Sequence, residues 1–286
     1  MSATAEPPTG ARPAAPGAAV GCWLHGVVRS AGPAVLAGIT GMDGGPVRAV
    51  PGAGLVAVVS AAPLAEYGEE PLRRNLEDLA WLERAARTHH EVVAALSRAG
   101  AVVPTRLATV YHDSDGVARL LAERAAGLAA TLDRLTDRTE WGVKGYVGPD
   151  AAARAASGGA RGGTAVGGAG AAYLRRRRAE LTARDEGQRA AAEAAATVHE
   201  ALAGYAVAAH RHAPQDRRLS GAPTAMVLNG AYLVDTAALS GFTALVAALA
   251  GRHPEVRLEL TGPWPAYSFA EERPPEPART LREAAR

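Results

Sequence analysis

Residues 260–269 read LTGPWPAYSF, and three of the chain's few large aromatics, Trp264, Tyr267 and Phe269, fall within this decapeptide. Pro263 and Pro265 fix φ and remove two backbone donors, so a strand that enters the stretch cannot run on as a central strand. The preceding EVRLEL alternates charged and apolar residues, which predicts a strand with Leu258 and Leu260 paired into a sheet. Gly262 is expected to turn the chain, and the prolines to hold Trp264 against the fold with Tyr267 and Phe269 packed alongside. The stretch thus reads as a strand terminus rather than a ligand site.

Working back from that strand, DTAALSGFTALVAALAG (235–251) predicts a helix and TAMVLNGAYLV (224–234) a strand, which together make a β-α-β unit. A long Ala-rich helix precedes it over 172–212. Residues 149–171 are Ala/Gly-rich and form a linker or insertion. Upstream, VGCWLHGVVR (20–29) and the run 47–60 predict strands, and 71–99 predicts a helix closed by Gly100. AVVPTRLATVY (101–111) reads as extended, 117–135 as a helix capped by Ser114 or Asp115, and TEWGVKGYVG (139–148) as a closing strand. The expected architecture is α+β in two domains: a ferredoxin-like sheet with helices on one face over 20–148, and a long helix plus β-α-β unit over 172–269. Residues 1–19 and 270–286 are expected to be disordered tails.

Composition narrows the function. The net charge of +2, from 31 basic and 29 acidic residues, provides no global field for nucleic acid or an anionic membrane. The single cysteine, Cys22, excludes an intramolecular disulfide framework and points to a reducing cytoplasm. An apolar run of about 18 residues is missing, so no membrane span is expected.

The search for chemistry is negative. The Gly-rich run 158–170 lacks the GK[ST] ending of a phosphate loop. His89 and His90 are adjacent, and neighbouring helical positions point about 100° apart, so the two cannot share a metal. His210 and His212 fall at the end of the long helix without a carboxylate pattern. There is no GxSxG elbow, and Cys22 on a strand reads as a small buried hydrophobe. Arg175 to Arg178 wrap roughly 300° around a helix and form no single basic face. No catalytic residue, metal ligand or cofactor site is expected. A small-molecule enzyme on a ferredoxin-like fold is the competing class, and it would need a cleft of convergent polar groups.

LTGPWPAYSF, placed after the last strand, resembles the C-terminal signature of the gas vesicle accessory proteins of the GvpL/GvpF family. LRRNLEDLAWLERAARTHHEVVAAL (72–96) followed by VVPTRLATVY (102–111), EWGVKGYV (140–147) and AAYLRRRR (171–178) resemble other segments of the same family. The resemblance spans residues 20–269. It implies a non-enzymatic role at the gas vesicle in the cytoplasm, as a minor shell component or chaperone-like factor that binds the hydrophobic shell protein and helps nucleate the vesicle. Other gas vesicle accessory proteins are the further partners it implies. The motif residues Gly262, Pro263, Trp264, Pro265, Tyr267 and Phe269 would then be structural or partner-binding, and His89, His90 and Arg106 are candidate partner contacts. An open strand edge, or an apolar groove between the domains receiving a helix, would be the contact surface.

Overall fold

The computed structural model describes residues 19–148, 169–214 and 224–270. Apart from Ala19 and Ala270, the expected tails lie outside the described residues, as does most of the Ala/Gly-rich segment. The chain divides into two compact units, one formed by residues up to Thr136 together with those from Pro265, the other by Asp137–Trp264.

The first unit opens with β1 (Val20–Val28), a single turn α1 (Pro33–Leu36), β2 (Arg48–Gly52) and β3 (Leu55–Pro63). Two short helices follow, α2 (Leu64–Tyr67) and α3 (Glu69–Asn75), then α4 (Leu79–Ala99), β4 (Val103–Pro104), β5 (Val110–Tyr111) and α5 (Ser114–Leu135). The sheet order is β2-β3-β1-β4, with β5 also on β1, and every pairing is antiparallel. The helix expected as one piece over 71–99 is broken, because Asp78 leaves helical geometry and accepts from the amides of Ala80 and Trp81 as the N-cap of α4. Asp113 plays the same part for α5 by accepting from Gly116 N, in place of the expected Ser114 or Asp115.

Strand β1 is buried along nearly its whole length, which a sheet covered on one side cannot produce. Successive side chains point to opposite faces. Cys22 Sγ lies 3.8 Å from Ser114 Oγ on α5, whereas Trp23 bonds His89 on α4. The two long helices therefore cover opposite faces, and the single-face expectation is corrected. The sequence signal was the apolar run of β1, interrupted only by His25, which lacks the alternation of a half-solvated strand.

The second unit comprises β6 (Arg138–Val147), α6 (Ala169–Tyr205), β7 (Ala208–Arg211), β8 (Met226–Asp235), α7 (Leu239–Arg252) and β9 (Val256–Trp264). Its sheet order is β7-β8-β6-β9. The strand expected to close the first domain is instead a central strand here, antiparallel to both β8 and β9. Local pattern identifies a strand but not its partners. The β-α-β succession of β8, α7 and β9 is present, with β6 inserted between the two strands. The core packs Val143, Leu228, Tyr232 and Val234 of the sheet against Val198 and Leu202 of α6 and Phe242 and Val246 of α7. The long helix ends at Tyr205, so His210 lies on β7 rather than on a helix end. A 3-10 turn (Thr236–Ala238) precedes α7, and Asp235 makes no side-chain cap bond.

Candidate functional site

The chemistry-bearing side chains of the first unit converge where β1 meets α4. The α4 stripe of Trp81, Ala85, His89, Val92 and Leu96 recurs at three and four residues, so His89 faces the sheet with the apolar side of the helix. On β1, the register slips between Leu24 and Gly26, leaving His25 as the extra residue of a β-bulge. Trp23 and His25 both reach the α4 side. The rings of His25 and His89 stack with centroids 5.2 Å apart.

The hydrogen bonds define the protonation of His89. The indole Nε1 of Trp23 is donor-only and donates to His89 Nδ1 at 3.0 Å. The proton of neutral His89 is then on Nε2, which donates to the Thr105 carbonyl at 3.1 Å. His25 Nε2 lies 2.9 Å from Ser60 Oγ, which also accepts from Met42 N. His25 Nδ1 has no partner among the described residues. Burial pushes the His25 pKa down to about 3, with His89 adding to the effect. Burial likewise lowers His89 to about 4, partly opposed by its bond to the Thr105 backbone. Both rings are neutral at physiological pH.

A serine hydroxyl beside an imidazole invites a nucleophile reading, but His25 and Ser60 are sealed from solvent and no substrate can reach them. Nor is any group of three or more His, Cys, Asp or Glu among the described residues placed to hold a metal. No helix among them is long and apolar enough to cross a membrane.

The residues named from the sequence separate into different settings. His89 is buried with both nitrogens engaged, so it supports the fold and presents no surface. His90 is half-buried and stacks near Tyr267 with centroids 6.3 Å apart. Tyr267 also approaches His89 at 6.3 Å, and Phe269 is buried, its carbonyl accepting from Arg134 at 2.8 Å. Pro265 is buried, whereas Gly262 and Pro263 are exposed on the edge strand β9. Gly262 has φ of +128°, a conformation natural to glycine. Trp264 corrects the expectation, since it pairs with Glu140 on the edge strand and remains 42% exposed, its Nε1 donating to Thr261 Oγ1. Arg106 is exposed in the loop after β4. Sequence reasoning did not single out Trp23, His25 or Ser60; the available signal was one histidine inside an otherwise apolar strand.

The second unit contributes an open apolar surface. From Tyr173 to Ala190 no side chain of α6 is buried, and the buried stripe begins only at Ala191. Along the uncovered part, Leu174 and Leu181 lie seven residues apart on one face and are 68% and 47% exposed, with Tyr173 beside them at 64%.

Two antiparallel sheets with this succession of helices recur in solved gas vesicle proteins. The crystal structure of GvpF from Anabaena sp. PCC7120 superposes with a TM-score of 0.62 at 19% identity, covering 88% of this chain and 96% of that one. GvpF from Microcystis aeruginosa gives 0.58 at 18% identity, covering 88% and 99%. Residues 21–271 match the family described as gas vesicle synthesis protein GvpL/GvpF, and the chain belongs to that family. It is 42% identical over 248 residues to gas vesicle protein L of Streptomyces sp. (strain CB03234), covering 87% of this chain and 92% of the relative. Gas vesicle protein F of the same strain is 29% identical over 269 residues, covering 87% and 99%. The role of the chain is therefore a gas-vesicle-related one.

Proposed function

We propose that the chain is a non-enzymatic assembly factor that binds the hydrophobic gas vesicle shell protein and, with other accessory proteins, holds it until the vesicle nucleates. The observation that carries this reading is the uncovered stripe of Tyr173, Leu174 and Leu181 on α6. Most helix stability in proteins comes from packing an apolar face, and exposed apolar surface on a long helix marks a partner site. A subunit with an apolar face aggregates in water unless that face is covered, and a helix offering leucines at a heptad spacing can lie along it. The neighbouring Arg175 to Arg178 keep the same segment hydrated while it is unoccupied.

Co-expression with the shell protein tests this. The wild-type chain should keep a large fraction of the shell protein in the supernatant after centrifugation, and Leu174→Ser with Leu181→Ser should return it to the pellet. Precipitation in the presence of the wild-type chain would refute the reading. If the double variant protects as well as wild type, binding does not use α6.

A further inference from the structure

The face of α6 that carries Leu174 and Leu181 is distinct from the face that packs on the sheet. At about 100° per residue, Leu181 lies within about 20° of Leu174, whereas Ala191, Val198 and Leu202 of the buried core lie roughly 80–120° round the axis. The two leucines are therefore no frayed end of the core stripe. The charges are sorted around them as well. Arg177 and Arg184 flank the leucines roughly 60–80° to one side, and Arg178 and Arg189 about 40–60° to the other. Glu180 and Glu186 stand about 120° away, and Asp185 is the one acid beside the stripe. Among the described residues, Arg178, Arg184 and Arg189 form no side-chain hydrogen bond or ion pair, and Arg177 meets only Glu180, at 3.5 Å on the surface. In a chain that is otherwise nearly balanced, with 31 basic and 29 acidic residues, this face has positive charge that nothing in the chain compensates.

Leu174 and Leu181 are about 10.5 Å apart along the axis, the repeat of a heptad, whereas a strand repeats its facing side chains every ~7 Å. A narrow apolar seam bordered by charge on both sides is the arrangement by which one helix receives another, and the bordering charges choose the partner. Arginines along both borders select carboxylates. An anionic bilayer would also attract the arginines, but two leucines offer little apolar area to insert into it. We propose, resting on the reading of α6 as the shell-protein surface, that this face takes an amphipathic helix of the partner. Its apolar stripe lies on Leu174 and Leu181, and its flanking carboxylates meet Arg177, Arg178, Arg184 and Arg189.

The probe is a fluorescein-labelled helical peptide of about three heptads, with leucine at the seam positions and glutamate at the flanking ones, titrated into the full-length chain by anisotropy. A peptide with lysine in place of glutamate is the control. The glutamate peptide should bind at least about tenfold more tightly than the control, and added salt should weaken it. Arg178→Glu with Arg184→Glu should reverse the preference between the peptides at an unchanged unfolding midpoint, because both positions are exposed. Should that variant be destabilised, Arg178→Gln with Arg184→Gln should still lower the ratio of the two affinities by roughly fivefold. Equal affinity for the two peptides, or an unaltered preference in the arginine variants, overturns the proposal. Undiminished binding to Leu174→Ser with Leu181→Ser also overturns it, by making the face a bare polyanion site. A dimer in sedimentation equilibrium that the leucine variant dissolves would give the face to a second copy of the chain, with the same result. Co-expression separates this inference from the reading beneath it. If the arginine variant holds the shell protein in the supernatant and the leucine variant does not, shell-protein binding stands and the acidic helix falls. Selective peptide binding by a chain that fails to protect the shell protein does the reverse.

Discussion

Trp23 on the first strand donates its indole proton to His89 on the central helix across 3.0 Å and 66 residues of sequence, and neither side chain meets solvent. This bond fixes the His89 tautomer, and through the His89 bond to Thr105 it ties β1, α4 and the chain after β4 into one unit. Replacing Trp23 with Phe leaves the buried Nδ1 of His89 without its donor and removes buried volume. Each effect costs on the order of 1–3 kcal/mol. Urea denaturation should therefore show Trp23→Phe destabilised by about 2–5 kcal/mol. A loss below about 0.5 kcal/mol, the range of ordinary surface changes, would mean that the bond contributes nothing.

Stability should fall with acidification before the carboxylates titrate. The folded pKa values of about 3 for His25 and about 4 for His89 lie below the ordinary histidine value of 6.5. The unfolded chain thus binds protons first as pH drops. The contribution is fully present above pH 6.5, declines below it, and stops changing beneath the folded values. Between pH 7 and pH 5 the loss is about 2 kcal/mol per histidine, measurable as a shift in urea midpoint. The amide of His89→Gln can accept from Trp23 and donate to Thr105, so this variant should lose about half as much. A midpoint flat across that interval would contradict burial of the pair.

The two ends of the C-terminal motif should behave oppositely. Phe269 is buried, so Phe269→Ala should cost about 3–5 kcal/mol. Trp264 is 42% exposed, so Trp264→Ala should cost under about 1 kcal/mol by the same thermal or urea assay. Equal losses would place Trp264 in a core.

Asp78 closes the first turn of α4 through two backbone amides. Asp78→Ala should lower stability by about 0.5–2 kcal/mol, and Asp78→Asn, which retains the acceptor, by much less. Circular dichroism melts of the two variants would separate cap loss from any general effect of the corner.

Leu174→Ser with Leu181→Ser alters only exposed positions, so the unfolding midpoint should stay within about 0.5 kcal/mol of wild type even where shell-protein protection is lost. A large drop in stability would show that this face packs within the fold.

Local signals were legible where periodicity or a turn residue decided the structure. The strand at 20–29, the helix at 117–135 and the strand at 255–265 lie within a few residues of the observed β1, α5 and β9. Long-range pairing was not legible. The pattern of 139–148 is the same whether it closes the first sheet or occupies the centre of the second, because alternation reports burial and not partners. Likewise, two adjacent histidines carry no signal that only His89 faces the sheet, where a bulge 64 residues earlier turns His25 towards it. Trp264 misled because an aromatic between prolines suggests a packed corner, whereas an edge strand leaves one side of such a residue in water.

The first unit is interrupted in sequence: Asp137–Trp264 builds the other sheet before Pro265 brings the chain back to place Tyr267 beside His90 and Phe269 beside Arg134. A ribosome adding about 5–20 residues per second needs roughly ten seconds to make the intervening stretch. During that interval, the nascent first sheet stands without its final aromatics and the second sheet is still missing β9. The half-made chain therefore exposes apolar surface that the finished one hides, and a translation arrest just before residue 265 would leave a product whose first unit folds incompletely although most of its own sequence has emerged.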